Sequence, residues 1–468
     1  MADMRLNVKK YERYKRMIRL TASMILVVFL VAVYMVFWYR LISPTTQVWY
    51  WRRGNWVIAG LYTILVLFFM SMYGGFRLGD LEKGNVIYSQ ILSLTFVNFI
   101  TYVQISLLAY RFPKLWIFLL LTLCDIVLIV LWTSLYAIIY QHMFPPRNLL
   151  LVYGQPHALE LLGKLKQRGD RYQIKQVVAA EVGEDNIVAM AEGYDGVMLC
   201  DIPTVTRNYI LKECFDKSIR VYMTPKISDI LVRSSREMHT FDTPLLLSRN
   251  NGLTAEQLFG KRCLDIAVSF LMIILAFPVM LLTALAVKLY DGGSAIYKQK
   301  RLTLDGREFY VYKFRSMRMD AEKDGVARLA SENDERITPV GKLIRMMRID
   351  ELPQLWNVLI GDMSLVGPRP ERPEIAAEYE NWLPQFKSRL KVKAGLTGYA
   401  QIYGKYNTTP YDKLKLDLTY IQNYSFVLDL KLLLLTVKIL FMKESTEGVT
   451  SPEEPMTLQA EEWKKKNG

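Results

Sequence analysis

Apolar residues are spread unevenly along this chain. Four runs are long and uninterrupted enough to predict helices: Leu20–Tyr39, Trp56–Tyr73, Ile91–Tyr110 and Leu115–Tyr140. Each approaches the ~20 residues that a helix needs to cross a hydrocarbon layer. Aromatic residues gather at their ends (Trp38, Tyr39, Trp56, Trp116, Tyr140), where an interfacial belt would place them. From Asn148 to about Ser248 the pattern changes to short apolar runs separated by helical stretches. Strands are predicted at Leu149–Tyr153, Ile174–Ala179, Val197–Cys200 and Arg220–Met223, with helices such as His157–Lys166 and Thr206–Asp216 between them. That alternation predicts a small parallel, Rossmann-like α/β domain. Its first strand leads into Tyr153-Gly154-Gln155-Pro156, which lacks the further glycines of a dinucleotide fingerprint. A structural or oligomer-forming module is the better expectation, and a homodimer would suit it.

A fifth apolar run, Asp265 to Lys288, is also long enough to span, but Pro278 lies near its middle. A proline there removes a backbone hydrogen bond and clashes with the preceding turn. Basic residues flank both ends (Lys261, Arg262; Lys288, Lys298, Lys300, Arg301), and such residues favour the cytoplasmic side. The pattern predicts a re-entrant hairpin that enters one leaflet and bends at Pro278. A fifth spanning helix is the alternative. Near the end, Phe426–Met442 is apolar but carries Asp429, Lys431 and Lys438, which predicts an interfacial helix. After Lys443 the chain turns polar, as a mobile tail would.

Charge sets the orientation. Lys9, Lys10, Arg13, Lys15, Arg16 and Arg19 precede the first run, and positive-inside places them in the cytoplasm, although Arg40, Arg52 and Arg53 follow that run. Four crossings then return the chain to the cytoplasm before residue 145. No cleavable signal is expected, because the first apolar run is long and has no A-x-A site. Asp125, inside the fourth run, should face the other helices rather than lipid. The net charge of +14 suits an anionic partner, and with apolar spans present, lipid head groups and phosphorylated substrates rank above nucleic acid. No nucleic-acid-binding signature is present. Four cysteines without a CxxC pair argue against a disulfide scaffold or a zinc site and fit a reduced compartment.

Residues 297 to 404 carry the chemistry. Tyr310 to Met317 puts Lys313 and Arg315 on one side of an extended run, followed by Asp320-Ala321-Glu322 and a polar loop through Glu335. Thr338-Pro339 begins a helix with threonine at the N-cap and proline in the first turn. Asp350-Glu351-Leu352-Pro353 opens the next, with Asp350 as the expected N-cap, and Gly367-Pro368-Arg369-Pro370 fixes Arg369 between two prolines. Adjacent carboxylates can be a capped helix start with surface ion pairs. Here, arginines that can fork onto phosphate oxygens surround them, and a divalent cation would let a carboxylate approach an anionic phosphate. No histidine follows His239, so histidine is neither base nor nucleophile in this block. That leaves carboxylate chemistry with Mg²⁺, Asp350 and Glu351 being the candidate ligands.

These residues resemble a known family. The run from Lys261 onward is similar to the bacterial sugar transferases, monotopic polyprenyl-phosphate hexose-1-phosphate transferases with a membrane hairpin. The matching text is Lys261-Arg262-x-x-Asp265, Lys313-Phe314-Arg315-Ser316-Met317, Asp350-Glu351-Leu352-Pro353-Gln354, Gly361 through Pro370, and Gly395-Leu396-Thr397-Gly398-x-x-Gln401-x-x-Gly404. The spans and α/β domain before it look like the long-form members that start capsule, exopolysaccharide or O-antigen repeat units. The resemblance implies a four-span bundle over 1–145, an α/β domain over 146–250, a mainly α catalytic domain with hairpin over 251–445, and a tail over 446–468. It implies a bacterial inner-membrane enzyme whose catalytic part is cytoplasmic.

The resemblance also implies a ping-pong reaction. Asp350 would attack the β-phosphate of a UDP-hexose, with glucose or galactose the leading sugars, and release UMP. Glu351 would bind Mg²⁺ or activate the acceptor, undecaprenyl phosphate. Lys313, Arg315 and Arg369 would hold phosphate oxygens, and Gln401 would line the nucleotide-sugar side. Pro278, Arg262 and Asp265 would belong to the hairpin. Two positions depart from the usual pattern: Phe277 stands where members often have serine, and Ala394 where they often have proline. Two other functions compete. An ordinary glycosyltransferase would leave the phosphate behind and often uses Asp-x-Asp, a tripeptide absent here. A non-enzymatic assembly protein would show no transfer at all.

Overall fold

The computed structural model of the chain describes residues 12–46, 52–154, 160–166, 168–248, 252–319, 334, 336–404 and 408–440. Lys9 and Lys10, the expected helix start at His157, the Asp320-Ala321-Glu322 run with most of its loop, and the polar tail lie outside these residues. The contacts divide the chain into two compact units that part between Thr224 and Pro225.

The first unit opens with four long helices: α1 (Lys15–Phe37), α2 (Arg52–Tyr73), α3 (Lys83–Ala109) and α4 (Leu115–Met143). All four are long and apolar enough to cross a membrane, and α1 runs on through a wider turn at Trp38–Ile42. Their outer faces are apolar, so the few polar side chains turn inward, where each needs a partner that lipid cannot supply. Asn98 donates to Asp125 at 2.9 Å and to Thr122 at 3.0 Å, while Tyr62 donates to Asn98 at 3.1 Å. Asp125 is fully buried among the helices, as its position in an apolar run requires.

A four-stranded parallel sheet follows, in the order β2-β1-β3-β4. Its strands are β1 (Arg147–Tyr153), β2 (Tyr172–Ala179), β3 (Gly196–Cys200) and β4 (Val221–Met223), and α5 (Glu160–Lys166), α6 (Glu184–Ala191) and α7 (Thr204–Asp216) lie between them in sequence. β3 is buried at every position, which explains its unbroken apolar run. Gly154 has a packing reason: a Cβ there would lie 2.3 Å from the Asp201 carbonyl oxygen. Ion pairs fasten the sheet to the helices. Glu12 receives Arg147 and Arg220, and Asp80, between α2 and α3, receives Arg19 and Arg171.

The second unit begins with α8 (Ile227–Arg233) and an exposed hairpin of β5 (Arg236–Thr240) and β6 (Thr243–Leu247). Next comes α9 (Ala255–Asp291), a fifth helix apolar and long enough to cross a membrane. Thr254 caps it, accepting from the Gln257 amide, and Pro278 lies inside it. The remainder packs around a core that includes Val311, Val358, Met363, Val366, Leu414 and Leu432. β7 (Ile296–Leu302) and β8 (Glu308–Phe314) form an antiparallel pair. α10 (Pro339–Met346) and a tight turn at Ile349–Glu351 lead into α11 (Gln354–Ile360). β9 (Ser364–Val366) pairs in parallel with β10 (Gly395–Thr397), α12 (Pro373–Trp382) lying between them in sequence. α13 (Tyr399–Tyr403), α14 (Pro410–Gln422) and α15 (Phe426–Leu440) complete the unit.

Two local expectations change. Asp350 is not a helix N-cap: it sits within the tight turn, and Pro353 precedes the first residue of α11. Arg348, at φ 53°, forces that turn by leaving α10 in a left-handed conformation, which is rare for a residue with a Cβ. Of the three charges in α15, Asp429 and Lys438 are buried and Lys431 is half-buried, and the helix packs on β9 and β10.

Candidate active site

Asp350 and Glu351 sit in the turn between α10 and α11, and the surrounding elements bring two cations to Glu351. β8 delivers Lys313, whose Nζ lies 3.0 Å from Glu351 Oε1. The segment after β9 delivers Arg369, whose Nη2 donates to the same oxygen at 2.9 Å. Burial pushes the Glu351 carboxyl up, but Lys313 and Arg369 outweigh it and hold the group well below the ordinary carboxylate range. Asp350 is set the other way: burial and the adjacent Glu351 charge raise it against the pull of Lys313, Arg345 and Arg369. Glu351 raises the Arg369 guanidinium in turn, so that cation is permanently charged.

Backbone positions are fixed by side chains that their neighbours in sequence did not reveal. Asn357, fully buried in α11, donates to the Tyr310 carbonyl at 2.8 Å and accepts from the Tyr312 amide at 3.1 Å. It behaves as a short extra strand against β8 and sets the register of Lys313. Beyond β9, Gly367 donates to the Thr397 carbonyl at 2.8 Å, and Gly395 donates to the Pro368 carbonyl at 2.9 Å. A Cβ on Gly367 would fall 2.4 Å from the Lys393 carbonyl oxygen, so only glycine permits this approach. Ala394 uses the N–H that a proline would lack, donating to Thr303 Oγ1 at 3.2 Å.

Asp350, Glu351, Lys313 and Arg369 therefore come together, and other expected residues stand apart from them. Arg315 lies just past the end of β8 and is committed to Asp291 and, at 2.8 Å, to the Ser294 carbonyl. Gln401 donates to the Leu396 carbonyl at 3.2 Å, and its buried Oε1 has no partner among the described residues. Arg262 and Asp265 dock α9 onto the unit. Arg262 donates to the carbonyls of Val358 and Leu359, both at 2.7 Å, at the C-terminus of α11. Asp265 accepts from the Ser364 hydroxyl at 3.0 Å and the Leu365 amide at 2.9 Å. Lys261, beside them, makes a buried ion pair with Asp429 at 2.6 Å.

Among the described residues no three His, Cys, Asp or Glu side chains cluster as a dedicated metal cage. The carboxylate pair nevertheless suits Mg²⁺, which is commonly held by one or two carboxylates together with substrate phosphates and water. Of the two, Asp350 could turn to such an ion more freely, because Oε1 of Glu351 is already shared by Lys313 and Arg369.

Residues 256–443 match the family described as bacterial sugar transferase. The chain is 37% identical over 231 residues to a UDP-N-acetylgalactosamine-undecaprenyl-phosphate N-acetylgalactosaminephosphotransferase of Aeromonas hydrophila, covering 49% of this chain and 54% of that protein. It is 35% identical over 249 residues to a UDP-glucose:undecaprenyl-phosphate glucose-1-phosphate transferase of Escherichia coli, covering 52% and 53%. It is 46% identical over 137 residues to a putative undecaprenyl-phosphate N-acetylgalactosaminyl 1-phosphate transferase of Bacillus subtilis, covering 29% of this chain and 76% of that protein. The chain thus matches about half the length of the first two relatives.

Proposed function

This chain belongs to the bacterial sugar transferase family, and from that premise we propose that it transfers a hexose 1-phosphate from a UDP-hexose to undecaprenyl phosphate. The observation that carries the reading is the Asp350–Glu351 turn, where one carboxylate is pinned by Lys313 and Arg369 and its neighbour is left to react. A carboxylate oxygen of Asp350 attacks the β-phosphorus of the donor. The bond from that phosphorus to the bridging oxygen breaks, UMP leaves, and the hexose phosphate stays on Asp350 as an acyl phosphate. A phosphate oxygen of undecaprenyl phosphate then attacks the same phosphorus, forming the lipid diphosphate and freeing the carboxylate. Lys313 and Arg369 hold phosphate oxygens, a task for which their shared contact with Glu351 keeps them in place. Mg²⁺, held by Asp350 with Glu351 nearby, would supply charge neutralisation between carboxylate and diphosphate.

A lipid acceptor would require the site to lie at a membrane surface. We assign the four N-terminal helices as spans, with Arg13, Lys15, Arg16 and Arg19 on the cytoplasmic side of the inner membrane. The catalytic unit then lies where nucleotide sugars are made, provided that α9 re-enters rather than crosses. Two contacts support that topology. Asp265, before Pro278, bonds to Ser364, while Val287, after it, packs with Phe314 and Ile344 of the same unit. In a straight helix at ~1.5 Å per residue, those two positions would stand roughly 33 Å apart.

The relatives act on different sugars at comparable identity, so the hexose is best found by assay. The test supplies undecaprenyl phosphate, Mg²⁺ and a panel of UDP-glucose, UDP-galactose and their N-acetylated forms, and identifies the nucleotide released. UMP from one of them is expected. UDP as product, or no nucleotide from any donor, would overturn the proposal.

A further inference from the structure

Arg369 must be held firmly if it is to meet both Glu351 and a phosphate, yet its loop has little means of holding itself. Pro368 and Pro370 have no N–H, so the chain around Arg369 offers mainly carbonyls for attachment. Two arginines take consecutive carbonyls there. Arg389 Nη2 donates to the carbonyl of Arg369 at 3.0 Å, and Arg301 Nη1 donates to the carbonyl of Pro370 at 3.0 Å.

Both clamps are anchored. Arg389 is only 3% exposed and pairs with Asp417 at 2.8 Å and Glu371 at 3.2 Å. Lys413 reaches the same Glu371 oxygen at 3.0 Å. Burial works against the Glu371 charge, but Arg389, Lys413 and Arg301 hold its carboxyl down at about 2. Arg301 is anchored by the Gln299 side chain, at 2.6 Å from Nη2 and 3.1 Å from Nε. Burial, and then the nearby Arg369 charge, lower its guanidinium to about 10 against the opposing pull of Glu371.

We propose that Arg389 and Arg301 are positioning residues for the transfer, acting through the main chain of residues 369–370 to aim the Arg369 guanidinium at Glu351 and the donor phosphate. The inference rests on the phosphosugar-transfer reading. Neither side chain touches the carboxylate pair, so each should matter only as far as Arg369 does.

The full chain in detergent or nanodiscs tests this with Arg389→Lys and Arg301→Lys, each alone and each combined with Arg369→Lys. Lysine keeps the charge but cannot make the forked contacts. Each single variant should lower kcat for UMP release by about tenfold or more, KM for the UDP-hexose should change less, and in Arg301→Lys the melting temperature should stay near wild type. In the Arg369→Lys background the same substitutions should cost less than about twofold, the signature of residues acting through a shared partner. Hydrogen exchange at the Gly367, Arg369 and Glu371 amides should quicken in the single variants. Losses that multiply undiminished in the double variants, or wild-type kcat with unchanged exchange, overturn the proposal. If buried Arg389→Lys fails to fold, the less buried Arg301→Lys carries the same cycle. A wild type that releases no UMP defeats the transfer reading itself, whereas UMP release with multiplying losses defeats this inference alone.

Discussion

Asp350 and Glu351 are consecutive residues of one tight turn with opposite electrostatic settings. Glu351 Oε1 lies 3.0 Å from Lys313 Nζ and 2.9 Å from Arg369 Nη2, and the pair of cations keeps it ionised. Asp350 carries the consequence: buried and beside a permanent negative charge, its carboxyl is raised. Two like groups are thereby made unlike, and environments that push neighbouring carboxyls apart usually divide their labour. Glu351 is fitted to organise cations, and Asp350 to form and break a bond.

Replacing each carboxylate separates these tasks. Asp350→Asn should abolish UMP release, a loss of about 10³-fold or more, and should leave no phosphosugar adduct detectable by mass spectrometry of the trapped protein. Glu351→Gln keeps the nucleophile and should retain a low rate with the adduct still formed. An adduct that survives in Asp350→Asn would move the nucleophile elsewhere.

The pH profile follows from the raised Asp350 carboxyl. The nucleophile must be ionised, so activity grows as pH rises through its pKa; without metal that pKa lies above the ordinary aspartate value of about 3.9, and Mg²⁺ bound by Asp350 would draw the acid limb of kcat/KM down from there. Removing the neighbouring charge with Glu351→Gln eliminates a like-charge repulsion and frees Lys313 to favour the carboxylate. Both effects act downward, so the limb should shift to lower pH. Should the limb of Glu351→Gln move upward or stay fixed, the titrating group is not Asp350.

The elements were legible where one local pattern decided them. Four apolar runs became α1 to α4, and the four predicted strands appear within about two residues of their expected ends, a margin typical of element boundaries. Thr338 caps α10 through its contact with the Gly341 amide, as Thr-Pro announced. Asp350 misled, because a short polar residue before a proline looks like a cap, and nothing in sequence marks Arg348 as left-handed. Arg315 misled for a related reason: alternation predicts a shared face with Lys313 only while the strand continues, and β8 ends at Phe314. Asn357, Arg301 and Arg389 were invisible because their partners lie 45, 69 and 20 positions away. Long-range carbonyl contacts leave no periodic trace.

Asn357 provides a stability test of the scaffold that carries Lys313. Its side chain satisfies one carbonyl and one amide of β8 from a fully buried position. Asn357→Ala strands both groups, and losing two such bonds should cost about 2–4 kcal/mol. The variant should melt at a clearly lower temperature, and UDP-hexose should restore part of the difference by binding the folded state. A melting temperature equal to wild type would mean that β8 is held by other contacts.

The topology of α9 is open to direct labelling. Its two ends are both tied to one unit: Arg262 caps α11 near the beginning, and Asp291 receives Arg315 at the end. If Pro278 turns the helix back within the bilayer, both ends share the cytoplasmic face; if it crosses, they lie on opposite faces. In a variant with Cys124, Cys200, Cys214 and Cys263 replaced, Glu256→Cys and Ser294→Cys provide exposed reporters at the two ends. An impermeant thiol reagent should label both in inverted membrane vesicles and neither in intact cells. Labelling of one position from each side would make α9 a fifth span and put the carboxylate pair on the wrong side of the membrane for a nucleotide-sugar donor.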